Sequence, residues 1–154
     1  MKKKSPFPYT TESALAARDN GTLAEWVQEF LLNEENHGLA TALQENKAEI
    51  IDLAELPLSM LKRIEGPEEV VAERETLHVW EDRVARLENI IKEGHYPPPL
   101  VITDFWKPLE IADGNHRHEA LMRNGIDKYW TIFFIRNEST KELLKPYVSS
   151  AILE

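Results

Sequence analysis

The chain has 154 residues, 42% hydrophobic and 29% charged, which suits one ordinary globular domain long enough to bury a core. Its formal net charge of −9 argues against a dedicated DNA-binding domain, whose affinity rests on Lys and Arg neutralising phosphates, while leaving room for a local basic pocket. There are no cysteines, which removes disulfides, thiolate metal sites and cysteine nucleophiles together, and no apolar run approaches the roughly 20 residues that span a bilayer.

The basic start Met1-Lys2-Lys3-Lys4-Ser5-Pro6 is followed by no apolar stretch, so no secretory signal is expected and a cytoplasmic setting is. Two short helices are predicted to open the fold. Thr22-Leu23-Ala24-Glu25 has the form of a capping box, and Leu23, Trp26, Val27, Phe30 and Leu31 then recur at helical spacing. A polar break at residues 33–38 separates this helix from a second over residues 39–43. These helices form either core packing or a surface for a protein partner; no catalytic spacing is visible in them.

Glu49-Ile50-Ile51-Asp52-Leu53 reads as a strand, and Pro57 suits the first turn of a short helix carrying Leu58, Met60 and Leu61. Gly66-Pro67 punctuates the chain. A long helix is predicted over residues 68–93, with Glu68, Glu69, Glu73 and Glu75 early in it, where the helix dipole favours negative charge. Leu77, Trp80, Val84, Leu87 and Ile91 alternate steps of three and four as a core-facing stripe. Gly94 and Pro97-Pro98-Pro99 stop the helix. Leu100-Val101-Ile102-Thr103 and Leu109-Glu110-Ile111-Ala112 read as a hairpin whose loop holds Trp106, a residue suited to packing or to stacking on a base. A helix over residues 116–123 ends at Asn124-Gly125. The continuous apolar run from Tyr129 to Ile135 predicts a central strand.

This order predicts an α+β domain with a small mixed β-sheet and packed helices. Residues 1–46 form a helical extension, residues 47–137 the core, and residues 138–154 a tail that can be helical.

The chemistry concentrates at Asp113-Gly114-Asn115-His116-Arg117. Gly114 permits unusual backbone angles at a strand's end, and Asn115 is a good N-cap. The N–H groups of the new helix and its dipole then make an anion site. Arg117 can clamp phosphate, His116 can donate a hydrogen bond or shuttle a proton, and Asp113 can hold a divalent cation or accept a hydroxyl proton. The same spacing also fits a plain capped helix with a surface arginine and two incidental histidines. His116 and His118 are two apart, about 200° around a helix, so they are poor joint ligands for a protein-only Zn²⁺ site. A Mg²⁺ held partly by nucleotide phosphates suits Asp113 better.

Residues 87–94, 99–102, 110–121 and the Asn124-Gly125 pair resemble the core of the ParB/sulfiredoxin superfamily. There a helix ending in Gly leads to a Pro-preceded strand, and a second strand enters a Gly-x-x-Arg turn that holds nucleotide phosphates. Gly114 and Arg117 occupy the Gly and Arg positions. The turn is most similar to the Asp-Gly-His-His-Arg turn of the nucleotide-dependent free-serine kinases. That resemblance implies Asp113 near the transferred phosphoryl group or its Mg²⁺, and His116 and Arg117 on phosphate. It places His78 where those kinases have a catalytic acid, with Glu75 and Glu81 flanking it; His118 is a further accessory candidate. Sulfiredoxin needs a cysteine at the position of Asn115, so sulfinic-acid reduction is excluded. Partition ParB proteins carry Glu-Arg in place of Asn115-His116 and add a helix-turn-helix domain that nothing after residue 135 supplies.

The resemblance therefore implies a protein that binds ATP, ADP or CTP with Mg²⁺, acting as a phosphotransferase or nucleotide hydrolase through Asp113, His116 and Arg117. A non-catalytic nucleotide-binding or adaptor module is the alternative, and a ParB-like nuclease a further one, against which the acidic charge counts.

Overall fold

A computed structural model describes residues 6–63 and 77–148. The expected first part of the long helix (residues 68–76, with Glu75) and the end of the tail (residues 149–154) lie outside the described residues.

The described chain is an α+β structure with six α-helices and one four-stranded mixed sheet. The helices are α1 (Thr11–Asp19), α2 (Leu23–Asn33), α3 (His37–Glu45), α4 (Leu77–Lys92), α5 (Asn115–Arg123) and α6 (Glu138–Leu144). The strands are β1 (Ile50–Pro57), β2 (Leu100–Thr103), β3 (Glu110–Asp113) and β4 (Lys128–Ile135).

The sheet order is β1-β4-β2-β3. β4 is an inner strand, as its unbroken apolar run predicts: it pairs antiparallel with β1 (Leu53 opposite Ile132) and parallel with β2 (Ile102 opposite Phe133). β2 and β3 form the expected antiparallel hairpin, with a bulge between Val101 and Ile102. Alternation along the strands sends side chains to two separate cores. Phe133, Ile102 and Ile111 pack with Trp80, Val84 and Leu121 of α4 and α5, while Ile132 and Phe134 pack with Val27, Phe30 and Leu31 of α2. The sheet is thus the middle of three layers, and α1–α3 cover one of its faces. The outer edge of β3 is closed by Lys62, whose N–H donates to Leu109 O (3.0 Å) and whose carbonyl accepts from Ile111 N (2.8 Å).

Several local expectations change. A third helix, α1, opens the fold; its apolar residues are mostly alanines, so its periodicity is faint, but Thr10 and Ser13 form a full capping box. The box expected at Thr22–Glu25 does not form. Thr22 follows Gly21, lies outside the extended conformation an N-cap needs, and donates its hydroxyl to Ala17 O at 3.3 Å. Pro57 ends β1 instead of opening a helix, because β1 is an edge strand that tolerates proline, and only a single 3₁₀ turn (Leu58–Met60) follows. The hairpin loop takes in Leu109, so β3 starts one residue later than expected, and Trp106 is 65% exposed rather than packed.

Candidate functional site

A cleft of about 650 Å³ opens where β3 runs into α5, a volume suited to a nucleotide-sized ligand. Three segments far apart in sequence form most of its wall, and Phe7 and Pro98 complete it. The β3–α5 junction contributes Asp113, Gly114, Asn115, His116 and Arg117; α4 contributes Arg83, Arg86 and Leu87; the α2–α3 turn contributes Glu34, Glu35 and Asn36.

The junction turns through Gly114, at φ 108°, which is the residue flanking the first helical turn. Asn115 is therefore inside the helix and not its N-cap. Its side chain is buried, with Nδ2 donating to Ile111 O at 3.3 Å, and the residue lines the cleft. The start of α5, the positive end of its dipole, lies on the cleft. His116 is half-buried, its ring 4.5 Å from the buried indole of Trp80.

Arg117 is turned inward. One terminal nitrogen donates to both Pro99 O and Asp113 Oδ2 at 3.0 Å, and the guanidinium lies 5.4 Å from the ring centre of Phe30 in α2. Asp113 is equally engaged: Oδ2 takes Arg117, and Oδ1 accepts from Asn36 Nδ2 at 2.8 Å. The pair lies at the base of the cleft with side chains only 11% and 14% exposed. These two groups hold each other and join three segments, which is a different use from a surface clamp.

The accessory residues fall elsewhere. His118 is buried and its Nε2 lies 2.8 Å from Leu58 O, away from the cleft walls. His78 stands on the exposed side of α4 beside Asp82, so the position that the resemblance assigns to a catalytic acid is not brought to the turn. Glu81 grips Arg123 of α5 through both oxygens (2.8 and 2.9 Å). Among the described residues no cluster of three or more His, Cys, Asp or Glu is placed to hold a metal ion.

Beside the cleft, α4 and α5 are tied by a run of ion pairs. Glu119 accepts from Arg63 at 2.6 Å and from Arg123 at 3.0 Å. Burial pushes the Glu119 carboxyl up, but the hydrogen bonds and charges of the two arginines outweigh it and hold it below its ordinary 4.5. A lowered carboxylate stabilises the fold above its unfolded pKa and loses that contribution as pH falls through the folded value. Urea unfolding should therefore show wild type more stable than Glu119→Gln at pH 7, with the gap closing well below pH 4.5. A gap that stayed constant into acid would show that the charge of Glu119 contributes nothing.

Arg83 and Arg86 went unread in the sequence, although a signal for them exists. Each immediately precedes an inward-facing residue of the α4 stripe, Val84 and Leu87, and so sits about 100° from the core face, on one flank. Asn36 has no local signal, because its partner Asp113 is 77 positions away. Comparison with protein-family models, with curated proteins and with solved structures finds no match for this chain. No helix among the described residues is long and apolar enough to cross a membrane.

Proposed function

We propose that this cleft binds the phosphates of a nucleotide, within a fold of the ParB/sulfiredoxin kind. The observation that carries the reading is the convergence of the α5 N-terminus with two exposed arginines of α4 on one hollow of about 650 Å³. A helix dipole and the two guanidinium groups of α4 make one side of the cleft attractive to anions, while Glu34, Glu35 and Asp113 also line it. The resemblance of residues 110–121 to a phosphate-gripping turn supports the same assignment. In this arrangement Arg83 and Arg86 meet the phosphates, His116 and the backbone of Gly114 and Asn115 contact them from α5, and Arg117 secures the floor.

A Mg²⁺ that is bound mainly by phosphate oxygens and water needs few protein oxygens, and the cleft carboxylates of Asp113, Glu34 and Glu35 are of the right chemistry. Such an ion would neutralise charge on the bound phosphates. Turnover at this site would rest on positioning and charge stabilisation, the usual means of phosphoryl transfer. One observation favours the second reading, a binding module without turnover. Both oxygens of Asp113 already accept hydrogen bonds from Asn36 and Arg117, so the carboxylate is engaged in holding the fold and not left open to take a hydroxyl proton. Product release over hours in the presence of ATP or CTP separates the two readings.

The double variant Arg83→Ala/Arg86→Ala tests the assignment. Both side chains are exposed, so the fold should persist, while nucleotide affinity should fall on the order of 100-fold, the value of two hydrogen bonds to charged groups. Unchanged affinity in a folded double variant would remove these arginines from the site.

A further inference from the structure

The α2–α3 turn is remote in sequence from residues 110–121, yet it walls the same cleft with Glu34, Glu35 and Asn36. Its backbone is constrained: Glu35 has φ 62°, a left-handed conformation that costs a non-glycine residue energy, and the next N–H, of Asn36, donates to Leu31 O at 2.8 Å. The result of that turn is the placement of one side chain. Asn36 uses its two ends on two elements. Its Oδ1 accepts from Leu39 N at 3.4 Å and caps α3, while its Nδ2 donates to Asp113 Oδ1 at 2.8 Å.

With Arg117 on Oδ2, the Asp113 carboxylate is fixed at both oxygens by groups from two elements, α5 and the α2–α3 turn. A carboxylate with one donor can swing about its Cβ–Cγ bond, whereas one with a donor on each oxygen presents its remaining lone pairs in a single direction. Asn36 and Asp113 both line the cleft. We propose that Asn36 is a positioning residue for the nucleotide site. It orients the Asp113 carboxylate toward the bound ligand or its cation, and through it the helical layer α1–α3 becomes part of the binding machinery. This inference rests on the phosphate-site reading above.

The two ends of Asn36 can be tested separately. Asn36→Ser keeps an N-cap oxygen for α3 but is too short to reach Asp113, whereas Asn36→Ala loses both functions. Calorimetric titration with ATP and with CTP, in the presence of Mg²⁺, is run on wild type and both variants, alongside thermal melts of each. Both variants should bind about tenfold more weakly than wild type, the change expected on losing one hydrogen bond to a charged group, while only Asn36→Ala should also melt at a clearly lower temperature. Wild-type affinity in Asn36→Ser would overturn the positioning role and leave Asn36 as a helix cap alone. Absence of binding by wild type itself would instead overturn the phosphate-site reading, and the inference with it.

Discussion

Replacing Arg117 with alanine is expected to destabilise the protein by about 3 kcal/mol, the lower end of the cost of removing one partner from a buried ion pair. The guanidinium is nine-tenths buried and serves three neighbours: the Pro99 carbonyl, the Asp113 carboxylate and the face of Phe30. Alanine would leave Pro99 O without that donor and Asp113 held through Asn36, in a place from which both are poorly hydrated. The lower end applies because Nε is already buried with no hydrogen-bond partner among the described residues, so the wild-type arrangement carries a cost of its own. For a domain of this size the loss corresponds to roughly 6–12 °C in melting temperature, readable by calorimetry. Arg117→Lys should recover little, because its ammonium ends one bond short of the terminal nitrogen that reaches both carbonyl and carboxylate, and it lacks the planar face set over Phe30. A melting temperature within about 2 °C of wild type for Arg117→Ala would refute the structural role given to it.

Gly114→Ala should cost a similar amount for an unrelated reason. At φ 108° an L side chain is strained, about 1–2 kcal/mol, whatever room it has. There is also no room: a Cβ would lie 2.7 Å from Leu100 Cδ2 and 2.8 Å from a terminal nitrogen of Arg117. Leu100 is fully buried in the sheet and cannot yield without moving the core, which adds about 1–3 kcal/mol for overpacking. Arg117 would have to release Pro99 or Asp113, so ligand affinity should fall along with stability. Gly38→Ala is the matching control, since Gly38 lies in α3 with nothing within 4 Å of its Cβ position. That change should be neutral or stabilising by about 0.5 kcal/mol. Denaturant unfolding of the two variants checks both statements, and equal effects at Gly38 and Gly114 would contradict the account of the turn.

Much of this arrangement is legible in the chain, where local pattern and tertiary context agree. The unbroken run from Tyr129 to Ile135 reads as an inner strand because both its faces are covered, and β4 is inner. The stripe through Trp80, Val84, Leu87 and Ile91 reads as a helix because every step returns to one face. The strand–glycine–helix junction is visible because glycine at such a φ has few substitutes. The misreadings arise where groups outside the short motif, near or distant, decide. Thr22 has the right residue type for a cap, yet its hydroxyl is claimed by Ala17 O. Asn115 is likewise a cap residue by type, but the junction turns one residue earlier and buries it. An arginine three residues into a helix ordinarily faces water. Arg117 does not, because Phe30, Pro99 and Asp113 surround it, and two of these come from outside the motif that drew attention to it. The cleft's basic wall and its link to the helical layer are properties of the packing between segments, which no local pattern carries.

The central claim is that the hollow at the β3–α5 junction takes nucleotide phosphates. Isothermal titration of the intact protein with ATP, ADP, CTP and GTP, each with and without Mg²⁺, tests it most directly. Saturable one-to-one binding of at least one of these is expected, weakening as salt is raised, because exposed arginines and a helix terminus are screened by ions. No saturable heat with any of the four nucleotides, in either condition, would contradict the claim.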